Sequence, residues 1–209
     1  MASLILDILQ RNWALVAIVG TIATLVLVPV AILSKYVRIS LNIMRTTKPP
    51  LSRGPLDYER MAGTPVSFPA YDGLPLNGMI APANPKQPRR GLIIFAHEYC
   101  SDMHSCGRYC RPLLQAGYDI LAFDFRGHGQ SPQEPDYEPR QWVTERELND
   151  LRGAVAFAQR WQEERNLAPE VGIFGISRGA CAAILVAAEM PCIRTIVAGI
   201  ARRAGIVVG

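Results

Sequence analysis

Gly175-Ile176-Ser177-Arg178-Gly179 follows the apolar run at 171–174 and precedes Ala180-Cys181-Ala182-Ala183-Ile184-Leu185-Val186. A serine with glycine two residues to either side, set between a β-prone run and a helix-prone one, predicts a sharp strand–turn–helix bend. Strand and helix backbones crowd at those two flanking positions, which favours residues without a β-carbon. The bend lifts the Ser177 hydroxyl clear of the sheet. It also aims the Arg178 backbone N–H, at a helix start, toward a developing negative charge. The bare pattern occurs in many loops by chance; its place between strand and helix gives it weight.

The flanking sequence supplies a matching frame. Gly91–Ala96 and Tyr118–Phe123 are continuous apolar runs, as expected of strands buried on both faces. Residues 64–71 and 74–81 read as a hairpin around Asp72-Gly73. A helix is expected within 108–116, with Pro112 in its first turn and Gly117 as its stop. Thr144 and Glu147 form a capping-box pattern that opens a long helix, whose inner face carries Leu148, Leu151, Val155, Ala158 and Trp161. A strand at 171–174, a helix at 178–189 and a strand at 193–198 complete the series. A hairpin followed by alternating strands and helices implies an α/β fold, a mostly parallel sheet covered on both faces.

The chain has 209 residues, 49% hydrophobic and 19% charged. No charged residue lies between Arg11 and Lys35, and 13–33 is almost wholly apolar. A helix of that length spans roughly 30 Å, the thickness of a hydrocarbon core. Trp13 and Tyr36 stand at its two ends, where amphipathic rings favour the interface. Thr21 and Thr24 can bond back to their own helix, and Pro29 is expected to bend its last turn. The competing reading is a cleaved signal peptide, whose apolar region is usually ~7–15 residues. The longer run and the basic residues after it favour an uncleaved anchor. Lys35, Arg38, Arg45, Lys48 and Arg53 outweigh Asp7 and Arg11 across the span, which places the main domain on the cytoplasmic side.

The net charge of +4 belongs partly to this flank and suits anionic headgroups. No basic stripe with interleaved aromatics appears in the globular part, so no nucleic-acid partner is expected. Five cysteines without a regular framework fit a reducing compartment. The expected organisation is a tail at 1–12, a transmembrane anchor at 13–34, a basic linker at 35–62 and an α/β domain at 63–209.

Three landmarks stand in order: Phe95-Ala96-His97-Glu98-Tyr99, then Phe123-Asp124-Phe125-Arg126-Gly127-His128-Gly129-Gln130-Ser131, then the serine pentapeptide. Together they resemble the α/β-hydrolase family, in particular its lysophospholipase- and serine-aminopeptidase-like branch, over roughly residues 64–200. The resemblance implies Ser177 as nucleophile and the N–H groups of Arg178 and Tyr99 as oxyanion donors. It implies His97 as part of the oxyanion loop, where Glu98 stands at a position that is commonly glycine. It also implies acyl transfer from a small ester, lysolipid or amide to Ser177, then hydrolysis. In that fold the acid and then the histidine follow the serine. No histidine follows Ser177, and the only later acid is Glu189. The expectation is therefore an N-terminal portion of a longer serine hydrolase, truncated after about the sixth strand, with an apolar sheet edge exposed and little activity alone. The alternative is a membrane-tethered, non-catalytic binding or scaffold protein of the same fold.

The remaining candidates resolve to modest roles. His97 is better placed to shape its loop than to act as a substitute base, and His128 to stabilise its turn. His97, Cys100, His104, Cys106 and Cys110 are dense, but their spacing matches no regular zinc pair, so neither metal nor cofactor is expected. Asp124 is expected to bond the turn that follows it rather than serve as a displaced triad acid, the Arg178 side chain to pair at the surface rather than attract a substrate carboxylate or phosphate, and Cys181 to lie in the core.

Overall fold

The computed structural model describes residues 11–46 and 59–199. The chain divides into two compact units, Met1–Thr47 and Lys48–Gly209. In the first, helix α1 (Trp13–Thr46) runs through Pro29 and on past the apolar run. Residues 35–46 are thus helical, since neither glycine nor proline interrupts them. Thr24 Oγ1 donates to the Gly20 carbonyl at 2.8 Å, the expected back-bond within the helix. The helix is long and apolar enough to cross a membrane. Asp7, Lys48 and Arg53 of the expected flanks lie outside the described residues.

The second unit is built on one six-stranded sheet. Its strands are β1 (Thr64–Pro69), β2 (Pro75–Ala81), β3 (Gly91–Ala96), β4 (Tyr118–Phe123), β5 (Val171–Ile176) and β6 (Ile193–Gly199). The spatial order is β1-β2-β4-β3-β5-β6. β1 and β2 form the antiparallel hairpin and β2 pairs antiparallel with β4. From β4 through β3 and β5 to β6 all pairs are parallel. The connections carry α2 (Cys106–Tyr109) and α3 (Arg111–Gln115) before β4, α4 (Glu145–Glu163) before β5, and α5 (Arg178–Ala187) before β6.

Alternation along the central strands splits the core into two layers. Leu92, Ile94, Leu121, Phe123 and Ile173 face α4 and α5, packing on Leu151, Val155, Ala158, Ala183 and Val186. Phe95, Ile120, Ala122 and Ile176 face the other way, against Met103, Cys106 and Cys110. Both faces of β3 and β4 are therefore covered, as their continuous apolar runs require. Thr144 caps α4 with the expected capping box, completed by Glu147. Pro112 sits in the first turn of α3, and Gly117 ends it with φ +95°.

The β6 margin differs. No residue of β6 is buried, and Val197 is 46% exposed. On α5, Ile184 and Leu185 are about half exposed. Cys181, expected in the core, is exposed with them. It lies one turn before Leu185, on the face of α5 turned away from Ala182, Ala183 and Val186. A groove of about 320 Å³ runs over Ile93, Leu113, Phe174 and Val197.

Candidate functional site

The serine bend has the predicted shape. Ser177 adopts φ 51°, ψ −112° between the end of β5 and the start of α5, and its side chain is exposed. A non-glycine residue in such a conformation costs of order 1–3 kcal/mol and persists only where its surroundings hold it. The surroundings are visible. A β-carbon on Gly175 would lie 2.6 Å from Ala180 Cα, and one on Gly179 would collide with the Ala96 carbonyl. Ser177 N–H donates to the Gly199 carbonyl at 2.8 Å, and its own carbonyl accepts from Cys181 N–H at 3.1 Å. Strand, bend and helix are thereby locked. Among the described residues, the Ser177 hydroxyl hydrogen-bonds to no side chain.

The loop after β3 is pinned by His97. Phe125 N–H donates to His97 Nε2 at 3.1 Å, so Nδ1 carries the proton and donates to the Glu98 carbonyl at 2.7 Å. The ring is fully buried; burial, with His128 and Arg178 nearby, holds its pKa well below the usual histidine value and keeps it neutral. Both ring nitrogens are spent on the backbone. His97 thus holds the loop after β3 in shape and has no nitrogen left for the Ser177 proton, which removes it as a base.

Glu98 is accommodated without a glycine-type backbone. The left-handed residue of this loop is Cys100, at φ 62°, two positions later. The Glu98 carboxyl is buried and accepts from Ser105 Oγ at 3.4 Å, and burial raises its pKa. Its carbonyl closes the turn by accepting from Ser101 N–H. Among the described residues, neither the Tyr99 nor the Arg178 N–H is used by another group.

Asp124 ties the loop after β4 to the one after β3, as a turn-bonding residue should. Its carboxylate accepts from Met103 N–H at 2.6 Å and Gln130 N–H at 2.8 Å. Burial pushes its pKa up to about 6, against those two bonds. His128 Nδ1 bonds the Arg126 carbonyl at 3.1 Å, which is local turn stabilisation. Cys106 and Cys110 are core residues whose thiol pKa values burial pushes up, to about 12 for Cys106. Among the described residues, no group of three His, Cys, Asp or Glu side chains is placed to hold a metal. A polar cleft of about 630 Å³ opens beside this site, lined by Tyr99, Asp102, His128, Gln133 and Glu138.

Two buried arginines complete the site, and sequence reasoning missed both. Arg178, expected at the surface, is 2% exposed and pairs with the buried Glu147 at 3.3 Å. Arg126, also buried, donates to Asp150 (2.8 Å), Glu134 (2.9 Å) and Asp72 (2.8 Å). A signal existed. Glu147 and Asp150 fall on the same stripe of α4 as Leu151, Ala154 and Val155, and an acid on an apolar stripe demands a buried partner.

Fold and bend define an α/β-hydrolase with an esterase-like arrangement. The sequence profile of the serine aminopeptidase S33 family matches residues 87–201, and the chain belongs to that family. No curated protein matches the chain. Among solved structures, an esterase from Pyrococcus furiosus is 29% identical, with a TM-score of 0.52 over 70% of this chain and 55% of its own. A lid-less α/β serine hydrolase from Xanthomonas campestris is 18% identical (TM-score 0.52, 68% of this chain and 62% of that one) and shares the fold. The same holds for an α/β-hydrolase from a Penicillium species at 23% identity (TM-score 0.52, 66% and 45%). The chain spans about half the length of the solved structures it matches.

Proposed function

We propose that this chain carries the nucleophile of a serine hydrolase acting on a small ester, lysolipid or amide. Ser177 Oγ attacks the substrate carbonyl as its proton passes to a general base, the leaving group departs with that proton to leave an acyl-enzyme, and water then cleaves the acyl ester, releasing the acid and restoring the Ser177 hydroxyl. The Arg178 and Tyr99 N–H groups hold the oxyanion. The observation that carries this reading is the strained Ser177 backbone, clamped by Gly175 and Gly179, with its hydroxyl exposed and an unspent N–H next to it. Strain of this kind is maintained where it serves presentation of a side chain. The likeness to the Pyrococcus esterase supports an ester-type substrate.

The proton acceptor is not His97. Among the described residues no imidazole bonds Ser177, an observation that favours the second reading, a non-catalytic binding or scaffold protein. Fluorophosphonate labelling of the intact protein from its native source separates the two. Labelling that vanishes in Ser177→Ala supports the hydrolase. Folded protein that stays unlabelled supports the scaffold.

We also propose that α1 tethers the protein to a membrane, with the hydrolase unit on the cytoplasmic side. Its length, its apolar run and the one-sided flank of Lys35, Arg38 and Arg45 support this. Retention in the membrane pellet after alkaline extraction, with the α/β unit digested by protease added to the cytoplasmic face, is the expected result.

A further inference from the structure

A fully buried ion pair is costly unless its geometry does something more than stabilise, because well-packed apolar side chains serve stability as well or better. The Arg178–Glu147 pair is such a case, and it is imperfect: Arg178 Nε is buried without a hydrogen-bond partner. What the guanidinium does have is reach. Nη1 donates to the Arg140 carbonyl at 3.1 Å as well as to Glu147. Nη2 lies 3.3 Å from His128 Nε2. The guanidinium carbon stands 5.3 Å from the Tyr99 ring centre and 5.3 Å from that of Phe125. Tyr99 is held from its other end, since its hydroxyl donates to the Pro139 carbonyl at 3.0 Å, next to the carbonyl that Arg178 uses.

We infer that the Arg178 side chain is a positioning residue that joins the two candidate oxyanion donors into one rigid unit. Its backbone supplies one N–H. Its guanidinium carbon lies 5.3 Å from the ring centre of the residue that supplies the other, within cation–π range. Glu147, from α4, fixes the charge, while consecutive carbonyls at 139 and 140 fix both side chains to one loop. Mutual placement of the Arg178 and Tyr99 N–H groups thus depends on a side chain in addition to the two backbones, which meet where Gly179 packs on the Ala96 carbonyl. A donor pair misplaced by a fraction of an ångström loses most of its effect on a transition state. The inference rests on the serine-hydrolase reading for its purpose, though the coupling it describes is a property of the fold.

The test removes the charges in pairs. Arg178→Met with Glu147→Gln leaves no buried charge uncompensated while the amide keeps the capping box of α4, and its unfolding midpoint is expected to stay close to that of the natural protein. In the intact protein, amide hydrogen exchange at both 97–101 and 177–180 should nevertheless rise about tenfold. Ser177 labelling by a fluorophosphonate should fall about a hundredfold, the scale of losing one oxyanion donor. Arg178→Lys keeps the charge and loses the guanidinium fork over the Tyr99 ring; it should keep the low exchange at 177–180 and raise that at 97–101. If exchange at 97–101 stays unchanged in both variants, the coupling is refuted. If the double variant simply unfolds, the pair is structural and the inference fails. An unlabelled natural protein defeats the hydrolase reading instead, while the exchange arm still decides whether the two loops are coupled.

Discussion

Strands β3 and β6 lie in the same sheet, one strand apart, yet they are different kinds of surface. In β3, Ile94 and Phe95 point to opposite faces and both are wholly buried. In β6, Ile196 and Val197 also point to opposite faces, but Val197 is 46% exposed and Ile196 only partly covered. Every landmark of the candidate site belongs to the covered part: His97 follows β3, Asp124 follows β4 and Ser177 follows β5. Among the described residues, the margin carries no such residue. Site geometry is thus held by the region with two packed faces, and β6 contributes mainly the Gly199 carbonyl that accepts from Ser177 N–H.

The contrast is broken most severely at Arg126. Arg126→Met strands Asp150, which is fully buried, and should cost about 3–5 kcal/mol in chemical denaturation. Loss of less than about 1 kcal/mol would show that the packed region tolerates an orphaned carboxylate. Next come matched truncations in the two strands. Ile94→Ala should cost about 2–5 kcal/mol, whereas Val197→Ala should stay within about 0.5 kcal/mol. Equal costs would erase the distinction between centre and margin.

Acidity perturbs the covered region more gently. His97 has a depressed pKa, so its contribution is present above the ordinary value of 6.5 and is lost as pH falls below it. Asp124 has a raised one, so its contribution is complete below 3.8 and is lost as pH rises toward about 6. In denaturation midpoints followed from pH 4 to 7, His97→Gln should remove the acid-side loss and Asp124→Asn should flatten the opposing slope. A profile unchanged in both variants would mean that neither group is buried as described. The smallest effect belongs to the margin: Leu185→Gln should alter stability by no more than about 0.5 kcal/mol. It should lower self-association measured by light scattering, because it interrupts the patch with Ile184.

Much of this was legible in the residues, for local reasons. The runs at 91–96 and 118–123 announce two-sided burial because a strand covered on both faces has no polar side to show. The bend at Ser177 is legible because two glycines at fixed offsets leave room that no β-carbon can share. The capping box at Thr144 and Glu147 is a contact three residues long. What was not legible lies in contacts between distant segments. His97 looked like a possible base until Phe125 N–H, 28 residues away, was seen to occupy its second nitrogen. Arg178 looked like a surface cation until Glu147, 31 residues back, was found buried against it. Cys181 looked like core because helical spacing reveals which residues share a face, and which face is covered depends on the partners.

The sequence alone therefore determined the order of strands and helices, the backbone geometry of the serine bend and the apolar length of α1, all of which are set by neighbours within a few residues. Only the tertiary structure decided which ring nitrogens are spent, which charges are buried and which apolar face is left open. Those properties arise from pairs of groups that the chain brings together across tens of residues. Burial raises the energy of each such group until a partner answers it, and no local pattern records where that partner will be.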